Sequence, residues 1–128
     1  MAIEIKTLQA GDEALLSNIC EDVFDHALQP ARACEFLADP RHHLVVACDG
    51  DLIVGFVSAV HYVHPDKADP ELWINEVGTA ESHQGRGIGK AMMKAMLEIG
   101  RTLGCTEAWV LTDRSNTVAQ KLYQSSGG

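Results

Sequence analysis

The 128-residue chain is sized for one domain, residues 1–128, at roughly 100–200 residues per domain, and a (β/α)₈ barrel of about 250 residues does not fit. Hydrophobic residues at 46% and charged residues at 22% are ordinary globular proportions and exclude a largely disordered chain. Ten Lys and Arg against eighteen Asp and Glu leave a formal charge of -8, with the basic residues scattered rather than striped. Nucleic acid is therefore a poor partner, and positively charged small substrates are favoured electrostatically.

In chain order, Ile3, Ile5 and Leu8 alternate with charged residues in an opening strand that Gly11-Asp12 ends. Leu15, Leu16, Ile19, Val23 and Ala27 follow at helical spacing, and a second helix begins at Pro30, a good first-turn residue, and stops before Pro40. From His43 the pattern becomes two apolar runs, LVVAC and LIVGFVSAV, around Asp49-Gly50, which reads as an antiparallel hairpin. His64 to Pro70 is a loop, and Leu72 to Thr79 the next strand. A glycine-rich turn leads into a helix from about Gly87 to Leu103, with Ile88, Met92, Met96, Ile99 and Leu103 on one face and Gly104 as its C-terminal cap. Ala108 to Thr112 reads as a strand and Val118 to Gln124 as a last helix, with Asn116 near its start. The order βααβββαβα implies an α/β (α+β) fold: a mixed, mostly antiparallel sheet flanked by helices on both faces.

Leu52 to Val60, the longest apolar stretch, is about half the roughly 18 residues that span a bilayer, and the N-terminus has no signal-like apolar block. The four cysteines, Cys20, Cys34, Cys48 and Cys105, form no CxxC pair, so free thiols in a reducing cytoplasm are expected, with no metal site.

Gln84-Gly85-Arg86-Gly87-Ile88-Gly89-Lys90 is the most informative stretch. Glycines between a strand and a helix let a ligand approach the backbone, and the first helical N–H groups, unpartnered within the helix, suit a phosphate or pyrophosphate. Arg86 and Lys90 add positive charge. A Walker A loop fails because Gln84 stands at the first glycine and Ala91 at the Ser/Thr. A dinucleotide GxGxxG fails because Lys90 stands at the third glycine.

The remaining pattern, Gln84, Gly87 and Gly89 as Q-x-x-G-x-G, resembles the acetyl-CoA pyrophosphate loop of the GNAT family of N-acetyltransferases. Asn116, Ala119, Leu122, Tyr123 and Gly127 are similar to that family's N-x-x-A-x-x-L-Y-x-x-x-G helix, and the resemblance covers nearly the whole chain. It implies acetyl transfer from acetyl-CoA to an amine by direct attack. By similarity, backbone of Val77, Gly78 and Thr79 aligns the pantetheine arm, and the amides from Gln84 to Lys90, those of Gly85 and Ile88 included, hold the pyrophosphate. Asn116 and Ala119 lie at the pantetheine, and Tyr123 protonates the departing thiolate. Glu76, by family position, is the general base that a bound ammonium needs before it can attack.

The segment ELWINEVGTAESHQGRGIG is most similar to the aminoglycoside 3-N-acetyltransferase branch, which implies antibiotic resistance as the biological role. Glu21, Asp22, Asp25 and Glu76 are then the expected acidic contacts to a cationic substrate. Competing readings are acetylation of a peptide, a protein or another small amine, and a catalytically weak acyl-CoA-binding module. Family members usually continue past the tyrosine helix with two more strands, so the resemblance implies an open sheet edge: either the chain is a fragment, or a second subunit in a homodimer covers that edge. His61 and His64, three apart on a strand, point to opposite faces and do not make a metal pair. His42 and His43 read as surface residues. His83 sits in the phosphate turn, Cys105 lacks an activating base, and Trp73 and Trp109 read as packing residues, with an acceptor cleft or dimer surface open for Trp73.

Overall fold

The computed structural model describes residues 2–111 and 117–121. Strands β1 (Ile3–Leu8), β2 (His42–Asp49), β3 (Leu52–Tyr62), β4 (Glu71–Thr79), β5 (Glu107–Leu111) and β6 (Thr117–Lys121) form one six-stranded sheet in chain order. Neighbours are antiparallel except β4 and β5, which run parallel because helix α2 (Ile88–Thr102) crosses over between them. The shorter helix α1 (Pro30–Ala38) carries its proline in the first turn, as expected.

Strand alternation sorts the side chains. The register puts Leu44, Ser58 and Glu76 in one cross-strand row on the α1 side, with Phe56 opposite Gly78 one step along. Val45, Val57, Ala59 and Ile74 fall on the opposite face, where Met92 of α2 sits over Gly55. There the helix buries Ile88, Met92, Met96 and Gly100 at four-residue spacing. A paired C-terminal cap closes α2. The Gly104 N–H donates to Arg101 O, and the Cys105 N–H to Gly100 O at 2.9 Å, with Gly104 at φ +88. Among the described residues no helix is long and apolar enough to cross a membrane.

Two expected helices differ. Between residues 13 and 29 only Glu13–Ser17 is helical, as a 3₁₀ turn. β4 ends its pairing with β3 near Gly55, and beyond that point chain 18–20 takes up the freed edge: the Ile53 N–H donates to Asn18 O and the Cys20 N–H to Ile53 O. Those strand-edge bonds, with Val23 buried and Phe24 stacked on Phe56 at 4.0 Å, outweigh the helical spacing. The expected helix over Val118–Gln124 is also corrected. Thr117–Lys121 is strand β6, antiparallel to β5, with Ala119 opposite Trp109. β-branched Thr117 and Val118 suit a strand, and pairing satisfies the backbone groups along β5.

Candidate active site

The site forms along the second half of β4. Ser58 pairs with Glu76 and Ala59 with Ile74, so Asn75 is an extra residue on β4, a bulge that bends the strand. Among the described residues the pairing of β4 with β5 covers Leu72, Trp73 and Ile74. Past the bulge, no described residue of β5 pairs with the edge of Glu76, Val77, Gly78 and Thr79 that faces away from β3.

That edge leads into the glycine turn. Gly87 is the N-terminal cap of α2 at φ +77, a left-handed conformation that glycine adopts without strain, and no side chain caps the helix there. The first intrahelical bond runs from the Ala91 N–H to Gly87 O, so the amides of Ile88, Gly89 and Lys90 have no partner within the helix. A Cβ at Gly85 or Gly87 would meet nothing within 4 Å, so the backbone there faces open space. The turn is tied down from three sides. Gln84 Nε2 donates to Thr79 O at 3.1 Å, the His83 ring bridges Ser82 Oγ and Asp49 Oδ2, and the Glu81 N–H donates to Asp22 Oδ2 at 2.8 Å. An extended edge ending in free amides and flanked by Arg86 and Lys90 fits acetyl-CoA, a linear amide-bearing arm joined to a pyrophosphate.

On the α1 side of the sheet lies a cavity of ≈ 380 Å³ whose lining includes Glu76, Ser58, Phe56, Leu44, Asp25 and His26. Burial pushes the Glu76 carboxyl upward, the negative charge of Asp25 and a hydrogen bond with it push the same way, and His26 opposes them. Gly78 makes this packing possible. A Cβ there would stand 2.6 Å from Val23 O and 2.8 Å from Phe56 Cε1, so only glycine lets segment 23–26 lie on the sheet beside Glu76.

The acidic residues expected as one patch are separated. Asp25 lines the cavity with Glu76. Asp22 instead anchors the turn through the Glu81 N–H, a bond that holds its carboxyl below the usual range, and Glu21 is exposed outside the lining. Asn116 and Tyr123 lie outside the described residues, and for Ala119 the backbone alone is described. Sequence reasoning missed His26, Ser58 and the buried Glu71. Ser58, the one hydroxyl within LIVGFVSAV, was the available signal; Glu71 accepts from Tyr62 Oη at 3.0 Å and Trp109 Nε1 at 3.1 Å. His43 is half-buried rather than a surface residue, with Nε2 2.7 Å from His61 Nδ1. Burial first, then the nearby His61 and His42, lower its pKa to about 4. Cys105 is buried and its thiol is pushed up by burial, which disfavours a nucleophilic thiolate. Among the described residues no group of three or more His, Cys, Asp and Glu is placed to hold a metal ion.

The sequence profile of the Acetyltransferase (GNAT) family matches residues 13–127. N-acetyltransferase family 8 member 2 of Rattus norvegicus is 30% identical over 82 residues, 64% of this chain and 36% of that protein. Streptothricin acetyltransferase of Streptomyces lavendulae is 32% identical over 90 residues, 70% of this chain and 45% of that protein. The matched region thus spans less than half the length of either relative. Among solved structures, an aminoglycoside acetyltransferase from an uncultured soil metagenomic sample, in complex with sisomicin, superposes with a TM-score of 0.76 at 18% identity, covering 88% of this chain and 78% of that one.

Proposed function

The chain belongs to the acetyltransferase (GNAT) family, and from that premise we propose that it moves an acetyl group from acetyl-CoA to a primary amine on a small cationic molecule. The observation that carries this reading is the position of Glu76. Its carboxyl lines the cavity beside Asp25, on the strand whose far edge runs into the free amides of α2.

The bound cosubstrate supplies the acetyl group as a thioester. The edge from Glu76 to Thr79, roughly 10 Å of strand, orients the pantetheine arm, and the amides from Gly87 to Lys90 with Arg86 hold the pyrophosphate. An ammonium entering the cavity is first held by the Glu76 and Asp25 carboxylates and then gives one proton to Glu76. A carboxyl pushed upward is the stronger base for that step. The freed nitrogen forms the N–C bond as the C–S bond breaks, the departing thiolate takes a proton from a donor, and the nitrogen's second proton leaves to restore that donor. Tyr123 is our candidate donor, on the strength of the motif alone. On the charge of -8 and the sequence around Glu76 alone, the acceptor favoured is the 3-amino group of aminoglycosides, and the streptothricin enzyme adds a second antibiotic class to the panel. A cytoplasmic homodimer completes the proposal, and sedimentation tests its assembly.

The test is CoA release with acetyl-CoA and a panel of aminoglycosides, streptothricin, simple amines and peptides, with mass spectrometry of the products. Amine-dependent release with an N-acetyl product supports the reading. Thermal stabilisation by CoA without release from any amine would make the chain a binding module instead.

A further inference from the structure

We propose that the cavity beside Glu76 selects an amine carrying a single ammonium on an apolar body, about 10 Å long, over a polyamine or a polycationic sugar. The inference rests on the reading of Glu76 as the group that receives the amine's proton. It departs from what net charge alone favours, because the walls and not the total charge meet the substrate's body.

Glu76 and Asp25 are the cavity's carboxylates, with His26 beside Asp25 and Ser58 between Glu76 and Leu44; Phe24 and Phe56 line the carboxylate side, and Leu16, Leu28, Phe36 and Leu44 the rest. The row Leu44, Ser58, Glu76 crosses three adjacent strands, so Glu76 and Leu44 are two interstrand spacings apart, about 10 Å. Phe24 and Phe56 stack at 4.0 Å to close one side, and Phe36 and Leu37 of α1 stand over the far end. At ≈ 380 Å³ the space lies at the small end of ligand pockets. A second ammonium about 10 Å from the first, past Ser58, would stand against Leu44 and Phe36 with neither lining carboxylate in reach. The other polar lining residues, Ser58, His26, Gln29 and Arg32, are not anionic, and Arg32 is already paired with Glu35. Of the two other carboxylates in segment 20–25, Glu21 lies outside the lining and Asp22 is engaged by the Glu81 N–H.

Calorimetric titration of the full chain with ethylamine, butylamine, hexylamine, 4-phenylbutylamine, spermidine and neomycin tests the selection without requiring turnover. Affinity should tighten by up to about fourfold per added methylene as the tail reaches toward α1, and should hold between 50 and 500 mM salt. Spermidine and neomycin should bind more weakly than hexylamine. Ala33→Leu, which fills the α1 end, should cancel the gain for the longer tails. A flat series, or spermidine or neomycin binding tightest with affinity lost as salt rises, overturns the proposal. CoA release with the same amines separates the two readings. Tail-dependent binding without acetyl transfer leaves the pocket selective and removes the acetyltransferase function. Transfer with flat, salt-sensitive affinities keeps the function and removes the selectivity.

Discussion

Gly78→Ala isolates the contact that sets the acceptor side of the site. The added Cβ would lie 2.6 Å from Val23 O, 2.8 Å from Phe56 Cε1 and 3.3 Å from Phe56 Cδ1, against an optimal separation of about 3.5–4.0 Å. Two of these contacts are too short by roughly 1 Å, and neither neighbour is the end of a flexible side chain. One is backbone, and the other is a ring fully buried and stacked on Phe24. Segment 23–26 must therefore lift off the sheet and carry Asp25 and His26 away from Glu76. Overpacking of this kind costs about 1–3 kcal/mol, which for a chain of this size lowers Tm by about 5–15 °C. Amine KM should rise while the affinity for CoA stays near wild type, because the glycine turn is untouched. The control is Gly87→Ala, where a Cβ meets nothing within 4 Å but the φ of +77 strains any other residue. It should weaken CoA and leave amine KM alone. Calorimetry and steady-state kinetics read all three quantities, Tm, CoA affinity and amine KM. A Gly78→Ala protein with unchanged Tm and amine KM would refute the packing argument.

Three further outcomes are expected. Gly87→Val should weaken CoA binding more than tenfold in a folded protein, since a β-branched residue tolerates neither the left-handed backbone nor close approach of a phosphate; unchanged affinity by titration would contradict it. Asp25→Asn should shift the acid limb of kcat/KM to lower pH, because removing the neighbouring charge lets Glu76 ionise more easily; a limb that stays or moves upward would contradict it. The pKa of His43 falls from 6.5 to about 4 in the folded state, so the unfolded chain binds the extra proton and stability is lost as pH falls through that window. At full weight the loss is about 3 kcal/mol, reduced to about 1–2 for a ring only half-buried; equal acid sensitivity of wild type and His43→Leu in urea melts would contradict it.

Where period and cap agree, the sequence is a sufficient guide. The Met92 and Met96 stripe, Gly104, Pro30 and the paired runs on either side of Gly50 all appear as read. Segment 15–27 has a helical period too, but its partner is the edge of β3 left free beyond β4, a long-range feature that no local window contains. The same holds for Thr117–Lys121, whose strand state depends on β5. In the site, the glycine turn was legible because φ > 0 and phosphate approach both demand glycine locally. The acidic residues 21, 22 and 25 look alike in sequence, and only the packing of Phe24 on Phe56 sends Asp25 into the cavity while Asp22 turns to Glu81. The Asn75 bulge carries no sequence mark at all, yet among the described residues it directly follows the last β4–β5 pair, Ile74 with Val110.

The most direct measurement follows acetyl label from acetyl-CoA into an amine acceptor, for wild type and Glu76→Gln, with CoA affinity measured in parallel. The expected result is label on the amine nitrogen in wild type and a loss of about 10²–10⁴-fold in kcat/KM for the variant, at unchanged CoA affinity. Equal rates in the two proteins across pH would contradict Glu76 as the base, and label that never reaches an amine would contradict the transfer itself.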